Sequence, residues 1–486
     1  MGNQIQEEVS SLNPLAIGLL LILVGLAWFL PRRLCFCPIF ILIGFMSMGQ
    51  QIIFAGLHFY LFRIILLTGM LRVIVRGELG QLKLTGMDKL FIGWVIVSIV
   101  FGSLSKPSMD LLVNRSGEAY NAIGCYFFAR CVIVDFKDVV TTVRTLAFIS
   151  FPIAILMLLE KMTAHNPLFV FGGVPETVAM RAGDTAVRCQ GAFRHSNLAG
   201  VYGGTQFPLF VALLYYRREH YLLSFSAIIS ALTIVICAHS SGGFMALLVG
   251  MGGLALWRWR KHMRLVRWGA FFTIIVLAIV MKAPVWYLFA KLSNVIGGGG
   301  WHRAYVIDQA VAHLDEWWLF GTTYTAHWGP GGEVIAADPN MMDITNHFIM
   351  EGVKGGFLKL GLFLALIVSC FKGIGRRLRA VIPNSPDEFF VWMIGVTLFT
   401  HCIAFMTTNY FDQTILVWYW LLASICCMGN SSSLMNPVGD FQFSGATKIW
   451  QYSLLKTVPY SPSRFAGLRQ QGSSLRRTRS VVINDD

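Results

Sequence analysis

A few side chains in two stretches of this 486-residue chain are suited to chemistry on a charged substrate. Arg188, Arg194 and His195 stand in Arg188-Cys189-Gln190-Gly191-Ala192-Phe193-Arg194-His195-Ser196-Asn197, immediately before an apolar run. Arg303, Asp343 and His347 belong to a second stretch, dense in Trp, Gly, His and acids, that begins near Ala283 and closes at Asn346-His347. Guanidinium forks and the N–H groups at a helix mouth both suit phosphate oxygens. Arg188, Arg194, His195 and Arg303 are therefore candidates to hold a diphosphate. His347, or Asp343, is the candidate to accept a proton from an attacking hydroxyl. Plainer roles stand beside these. The first group also fits a solvated rim, Arg303 also fits lipid headgroups, and His347 also fits an interfacial pair with Glu351 one turn on.

Other chemistries lack their signatures. The chain has no Walker lysine loop, no Rossmann glycine pattern and no Gly-x-Ser-x-Gly elbow, so no nucleotide cofactor or serine nucleophile is expected. His302, His313, His327 and His347, with Asp308, Asp315, Asp338 and Asp343, offer metal-ligand atoms but no recognised ligand spacing, and no metal is expected. The ten cysteines form no zinc or redox spacing, and core packing is their expected role.

The elements that position these residues follow from composition. The chain is 55% hydrophobic and 13% charged, with a mean hydropathy of +0.62, and its apolar runs repeatedly reach the roughly 20 residues that cross a bilayer. An all-α, polytopic transmembrane bundle is predicted, with spans near 13–31, 35–54, 57–75, 89–105, 118–135, 141–160, 197–215, 221–238, 241–257, 265–283, 347–370, 389–408 and 411–428, or about 12 to 13 helices. Arg32-Arg33, Arg72, Arg76, Lys83, Arg217-Arg218, the run Arg258 to Arg267 and the run Lys372 to Arg379 then fall on one side. By the excess of Lys and Arg that side is cytoplasmic. The N-terminus is outside, and the loops 161–196 and 283–346 share the outer face.

The integral domain is expected over 1–430. A Ser-, Gly- and Arg-rich tail, 431–486, is expected to be cytoplasmic and disordered. The formal charge of +14 sits in loops and tail, where anionic membrane lipid attracts it, so nucleic acid is not an expected partner. Met1 to Asn13 carries Glu7 and Glu8 and no basic region, which predicts a retained anchor instead of a cleaved signal.

Within the second loop, Ala304, Ile307, Val311, Leu314 and Trp318 recur at steps of three and four. That spacing predicts an amphipathic helix lying at the membrane interface, with Trp317 and Trp318 at headgroup depth. Glycines and prolines from Gly321 to Gly332 mark irregular backbone, and Asp343 or Thr345 is the expected N-cap of the following span.

These residues resemble the O-antigen ligase and polymerase family of integral membrane glycosyltransferases. Gly191-x-Phe193 with Ser196-Asn197 is similar to that family's Gly-x-Phe-x-x-Pro-Asn block. Arg303 followed by Trp317-Trp318-Leu319-Phe320-Gly321 is similar to its Arg, apolar helix and Pro-Leu-x-Gly pattern. Asn346, Gly356 and Leu360-Gly361 are similar to its His-Asn and Glu-x-Gly-x-x-Gly block. The layout agrees over roughly residues 60 to 430.

The resemblance implies a bacterial inner-membrane enzyme at the periplasmic face. It would move glycan from an undecaprenyl-diphosphate carrier to an acceptor glycan or lipid, with Arg303 on the diphosphate and no cofactor. Two departures stand out: Thr345 occupies the place of the family's catalytic histidine, and Ser241-Gly242-Gly243 lacks the arginine of its Ser-Arg-Gly block. His347 or Asp343, and Arg188 or Arg194, are the expected substitutes. The alternatives are a flippase or transporter for lipid-linked sugar, or a noncatalytic partner of envelope polysaccharide assembly proteins.

Overall fold

The computed structural model describes residues 13–54, 57–177, 187–216, 218–288, 291, 300–330 and 339–430. Glu7, Glu8, Arg217, Gly297 to Gly299, Gly331, Gly332, Asp338 and the 431–486 tail lie outside the described residues. The first half is built from α1 (Pro14–Phe29), α2 (Cys37–Phe45), a hairpin of β1 (Gln51–Phe54) and β2 (Leu57–Tyr60), α3 (Leu61–Val75), α4 (Gly86–Ser105), α5 (Met109–Val132) and α6 (Phe136–Thr163). It continues with α7 (Ser196–Tyr216), α8 (Tyr221–Ala238), α9 (Ser241–Ala255) and α10 (Met263–Val280). After the second long loop, which holds α11 (Gly300–Ala312) and α12 (Leu314–Trp317), come α13 (His347–Val353), α14 (Gly356–Ala380), α15 (Pro386–Phe405) and α16 (Thr414–Asn430).

The protein is an all-α membrane bundle. Among the described residues, seven helical segments are long and apolar enough to cross a membrane, and α1 and α16 are shorter apolar helices. Local chemistry starts several of them. Thr85 and Asp88 form a reciprocal capping box at α4, Asp135 and Asp138 do so at α6, and Ser385 caps α15 ahead of Pro386.

The basic residues gather at one end of the bundle and are paired there. Arg32 and Arg33 bind Asp138 at 3.1 and 2.9 Å, Arg72 binds Glu78 at 2.6 Å, Arg130 binds Asp88 at 2.9 Å, and Arg260 binds Glu388 at 3.2 Å. The opposite end collects Asn13, Gln50, Gly173, the 188–197 segment and the second long loop. There Asn13 bonds Gln50 and the Val170 carbonyl, and Ser47 bonds the Gly173 carbonyl.

Two expected spans are broken. In 35–54 only the nine residues of α2 are helical, about 13.5 Å or less than half a bilayer core. Extended backbone then leads to the hairpin, with Gly49 so close to Gly173 that a Cβ would lie 2.8 Å from it. The open carbonyls at the end of α2 meet the side-chain amide of Gln413, which reaches Ile43 O and Met46 O at 3.4 Å and Ala192 O at 2.7 Å. Non-helical backbone at membrane depth needs such internal partners. The 347–370 span is interrupted between α13 and α14. Gly356 has φ +70°, and a Cβ there would sit 2.1 Å from the Leu319 carbonyl, so only glycine lets the second loop dock.

The second long loop carries its expected amphipathic helix as α11, and of the residues expected on its apolar face Ala304 is buried and Ile307 half-buried, whereas Val311, Leu314 and Trp318 are exposed. Val306 and Ala310, outside that expected face, pack with Trp317, Trp328, Met342, Ile344, Met350 and Val353 in a small core of the loop's own. Trp317 is buried, its indole N–H on the Ala310 carbonyl at 2.8 Å, whereas Trp318 is open.

Gln413→Leu removes the donor shared by three carbonyls in a dry setting. A cost of about 1–3 kcal/mol for a buried acceptor left unsatisfied should lower the thermal unfolding midpoint of the detergent-solubilised chain. An unchanged midpoint would show that Gln413 does not hold α2.

Candidate functional site

Arg303 lies in the first turn of α11 and turns inward. It is buried, and its Nη2 donates to Ser241 Oγ at 2.9 Å. Ser241 opens α9, whose first turn is fixed by Ser240 Oγ accepting from the Gly243 N–H at 3.3 Å. Small residues set where that turn stands. A Cβ on Gly243 would fall 2.6 Å from the Gly200 carbonyl carbon, and one on Gly204 would fall 2.7 Å from Ala246 Cβ, so α7 and α9 approach backbone to backbone. The mouth of α7 and the mouth of α9 are thereby held side by side.

The 188–197 segment leads into the mouth of α7. Its backbone is clamped by Glu160, at the end of α6, whose two carboxylate oxygens each accept at 2.9 Å from Gln190 and Gly191. Asn166 adds a bond to the Gly191 carbonyl at 2.8 Å, and the Cys189 N–H reaches the Cys237 carbonyl at 3.1 Å, just ahead of Ser241. Arg188 therefore stands near the α8–α9 turn, its Nη2 on Asn197 Oδ1 at 3.1 Å. Arg194 is exposed, and its backbone N–H donates to Asp412 at 3.3 Å.

His195 uses Nδ1 to accept the Asn197 N–H at 3.1 Å, so it closes the start of α7 as a neutral ring. His195 is exposed, yet desolvation by the protein around it, then the Arg188 charge, pushes its pKa down to about 4.

The two base candidates differ in access. His347 is buried, stacked on Phe405 at 4.6 Å and flanked by Phe363 and Tyr410. Its Nδ1 lies 2.6 Å from Asn409 Oδ1 and its Nε2 lies 3.9 Å from Glu351. The Tyr410 N–H also points at Nδ1, at 3.4 Å, so both ring nitrogens face partners inside the bundle.

Asp343, by contrast, is 62% exposed and sits beside His302, whose Nε2 is 2.9 Å from the Asp343 carbonyl and 3.9 Å from its carboxylate. Desolvation raises the Asp343 carboxyl above the usual carboxylate range, and His302 partly opposes it. Neither Asp343 nor Thr345 caps the next helix. Asn346 does, its Oδ1 accepting from Phe348 and Ile349 at 3.0 and 3.2 Å, because only that position reaches the second and third helical N–H groups. Thr345 Oγ1 is buried and has no hydrogen-bond partner among the described residues.

One segment brings these parts together: residues 406–413, between α15 and α16. Thr407 lies against Gly242, Asn409 holds His347, Asp412 holds the backbone of Arg194, and Gln413 holds Ala192. The sequence reading ran this segment into the neighbouring spans and so missed Asn409, Asp412, Gln413 and, elsewhere, Glu160. The signal was the polar density of Thr407-Thr408-Asn409-Tyr410 and Asp412-Gln413-Thr414 between two apolar runs. A scan against models of protein families finds no match to this chain, and a search of curated proteins finds no similar sequence.

The depressed pKa of His195 has a defined pH consequence. Its folded value is below the unfolded one, so its contribution is complete above about pH 6.5 and is lost as pH falls toward about 4. His195→Gln should flatten that part of the acid-unfolding curve, measured by thermal melts across the window. Identical curves would remove His195 from the account.

Proposed function

We propose that this chain is a glycosyltransferase of the bacterial inner membrane that polymerises or ligates polysaccharide from an undecaprenyl-diphosphate-linked glycan. The observation that carries the reading is the convergence of Arg303 with the mouths of α7 and α9, the Arg188 and Arg194 segment and the Asp343–His302 pair. Three kinds of group suited to transfer from a diphosphate carrier thus share one end of the bundle. The basic residues gathered at the other end support a cytoplasmic location for that end, with the site and the N-terminus periplasmic. There Arg267, Lys372, Arg376 and Arg379 line a cleft of about 800 Å³, which suits anionic lipid headgroups.

In this reading Arg303, with Arg188 and Arg194, holds the diphosphate and stabilises the charge that grows on it as it leaves. Asp343, oriented by His302, removes the proton from an acceptor hydroxyl. The acceptor oxygen then bonds to the anomeric carbon as its bond to the diphosphate oxygen breaks, and undecaprenyl diphosphate departs with the bonding electrons. The base role moves from His347 to Asp343 because a hydroxyl has a path to an exposed carboxylate and none to an enclosed imidazole. Ser241-Gly242-Gly243 lacks the family's arginine, yet the Arg303 guanidinium rests on Ser241 and supplies a positive charge at the same turn. The partnerless Thr345 hydroxyl adds a donor where the family has histidine.

A transporter of lipid-linked sugar is the second reading, favoured by charged groups inside the bundle. Glu118 binds Arg115 at 3.0 Å and Lys354 at 2.6 Å, and Glu351 binds Lys359 at 3.4 Å.

Reconstitution with a lipid-linked oligosaccharide and acceptor separates the two. Wild type should release undecaprenyl diphosphate. Arg303→Ala should lose about 10²–10³-fold, and Asp343→Asn about 10²–10⁴-fold, with His347→Gln retaining far more. The rate should fall on acidification through the raised Asp343 pKa, and Asp343→Asn should lack that limb. Movement of intact carrier across the bilayer without release would replace the transferase with the transporter.

A further inference from the structure

Ten residues along α11 from Arg303, about 15 Å away at 1.5 Å per residue, three side chains point their ligand atoms at one place. His313 Nδ1 lies 3.0 Å and His327 Nε2 lies 2.8 Å from the same oxygen, Oε1 of Glu316. All three ligand atoms fall within 4.8 Å of one another. The spacing His313-x-x-Glu316 followed by His327 matches no recognised motif, and folding alone creates the cluster. His313 ends α11, Glu316 is one turn on in α12, and His327 is carried by the 326–328 turn.

The surroundings hold the three groups in place. Trp328 donates its indole N–H to the other Glu316 oxygen at 3.1 Å, and its ring stacks on His313 at 5.6 Å and 8°. Tyr324 stacks on His327 at 5.3 Å and 14°. A ligating carboxylate held by an outer hydrogen-bond donor is a usual feature of a metal site, and the ring stacking fixes the two imidazoles. The side chains of His313, Glu316 and His327 are 31%, 30% and 37% exposed, which leaves an entry path and an open coordination position.

We propose that His313, Glu316 and His327 bind a divalent transition-metal ion, with zinc the best match to two imidazoles and one carboxylate. Zinc bonded at about 2.0–2.2 Å would take the place of the two direct His–Glu316 contacts, with the three ligand atoms turned toward the ion. The ion pins the 326–328 turn to the α11–α12 corner. That turn carries Trp328, fully buried in the loop's core, and is anchored on its other side by Thr325 and Ala326 N–H groups on the Asn340 carbonyl at 2.8 and 3.0 Å. Zinc therefore stiffens the loop that presents Arg303 and Asp343, and the binding stands whether or not the transferase reading holds.

The test uses the full chain in detergent micelles, stripped with chelator, given zinc alone and dialysed before metal analysis. Wild type should retain about one more zinc per chain than the His313→Gln/His327→Gln double variant, as expected for a three-ligand site. Trp328→Phe, which keeps every ligand but removes the outer donor, should weaken zinc about tenfold. Cobalt should give wild type the visible absorption of a low-coordinate site, and the double variant none. Circular dichroism of metal-free samples establishes that the variants fold. Equal zinc content in folded wild type and double variant overturns the proposal, as does wild type that retains none.

Discussion

The architecture depends on the polar strap of residues 406–413 set in an apolar bundle. A chain that breaks its helices at membrane depth exposes backbone groups that lipid cannot satisfy, each at a cost of several kcal/mol. Here Gln413 takes the carbonyls at the end of α2 and the Ala192 carbonyl together, and Asp412 accepts from Arg194 and from its own helix start at Thr414. Tyr410 and His401 bind one another at 2.9 Å, so the strap is also tied to α15. These side chains are almost wholly buried, which makes each bond an internal substitute for water.

That constraint also explains why the candidate residues meet. Arg303 comes from the second long loop, Arg188 and Arg194 from the first, and Asp343 from a segment ahead of α13. Arg188 and Arg194 share one segment, but Arg303 and Asp343 stand far from it and from each other in sequence. Arg303 rests on the mouth of α9, Arg188 and Arg194 are fixed at the mouth of α7 and on the strap, and Asp343 is held by His302, the neighbour of Arg303. The glycine contacts between α7 and α9 bring Ser241 beneath Arg303, and the Gly356 break lets the second loop sit on the end of the bundle. Backbone proximity bought with glycine is what converts scattered charges into one surface.

Much of this was legible in the sequence, and the rest was hidden for physical reasons. Apolar runs revealed the helices, because hydropathy is a property of composition over many residues. The three-and-four spacing revealed α11 as well, but not what its apolar face meets, since periodicity gives a face and no partner. The breaks at α2 and Gly356 were invisible because hydropathy does not distinguish helical from extended backbone. Asn409, Asp412 and Gln413 were passed over since their role is a long-range bond, to partners as far along the chain as Ile43.

His347 shows how a chemically capable residue can be committed to architecture instead. It stands in the first turn of α13, directly before the Gly355-Gly356 interruption, where helix ends and a buried carboxylate both require partners. Glu351 receives the Trp94 indole at 2.7 Å and Lys359 at 3.4 Å, and Lys359 in turn lies over the Trp94 ring. Lys354 and Arg115 face the partly exposed Glu118 beside this group, so positive and negative charges alternate along it. His347 closes that network on the Asn409 side while its ring fills an aromatic cage. A carboxylate at the loop surface, next to its own histidine, avoids that commitment, and it is the loop that can vary without unpicking the bundle.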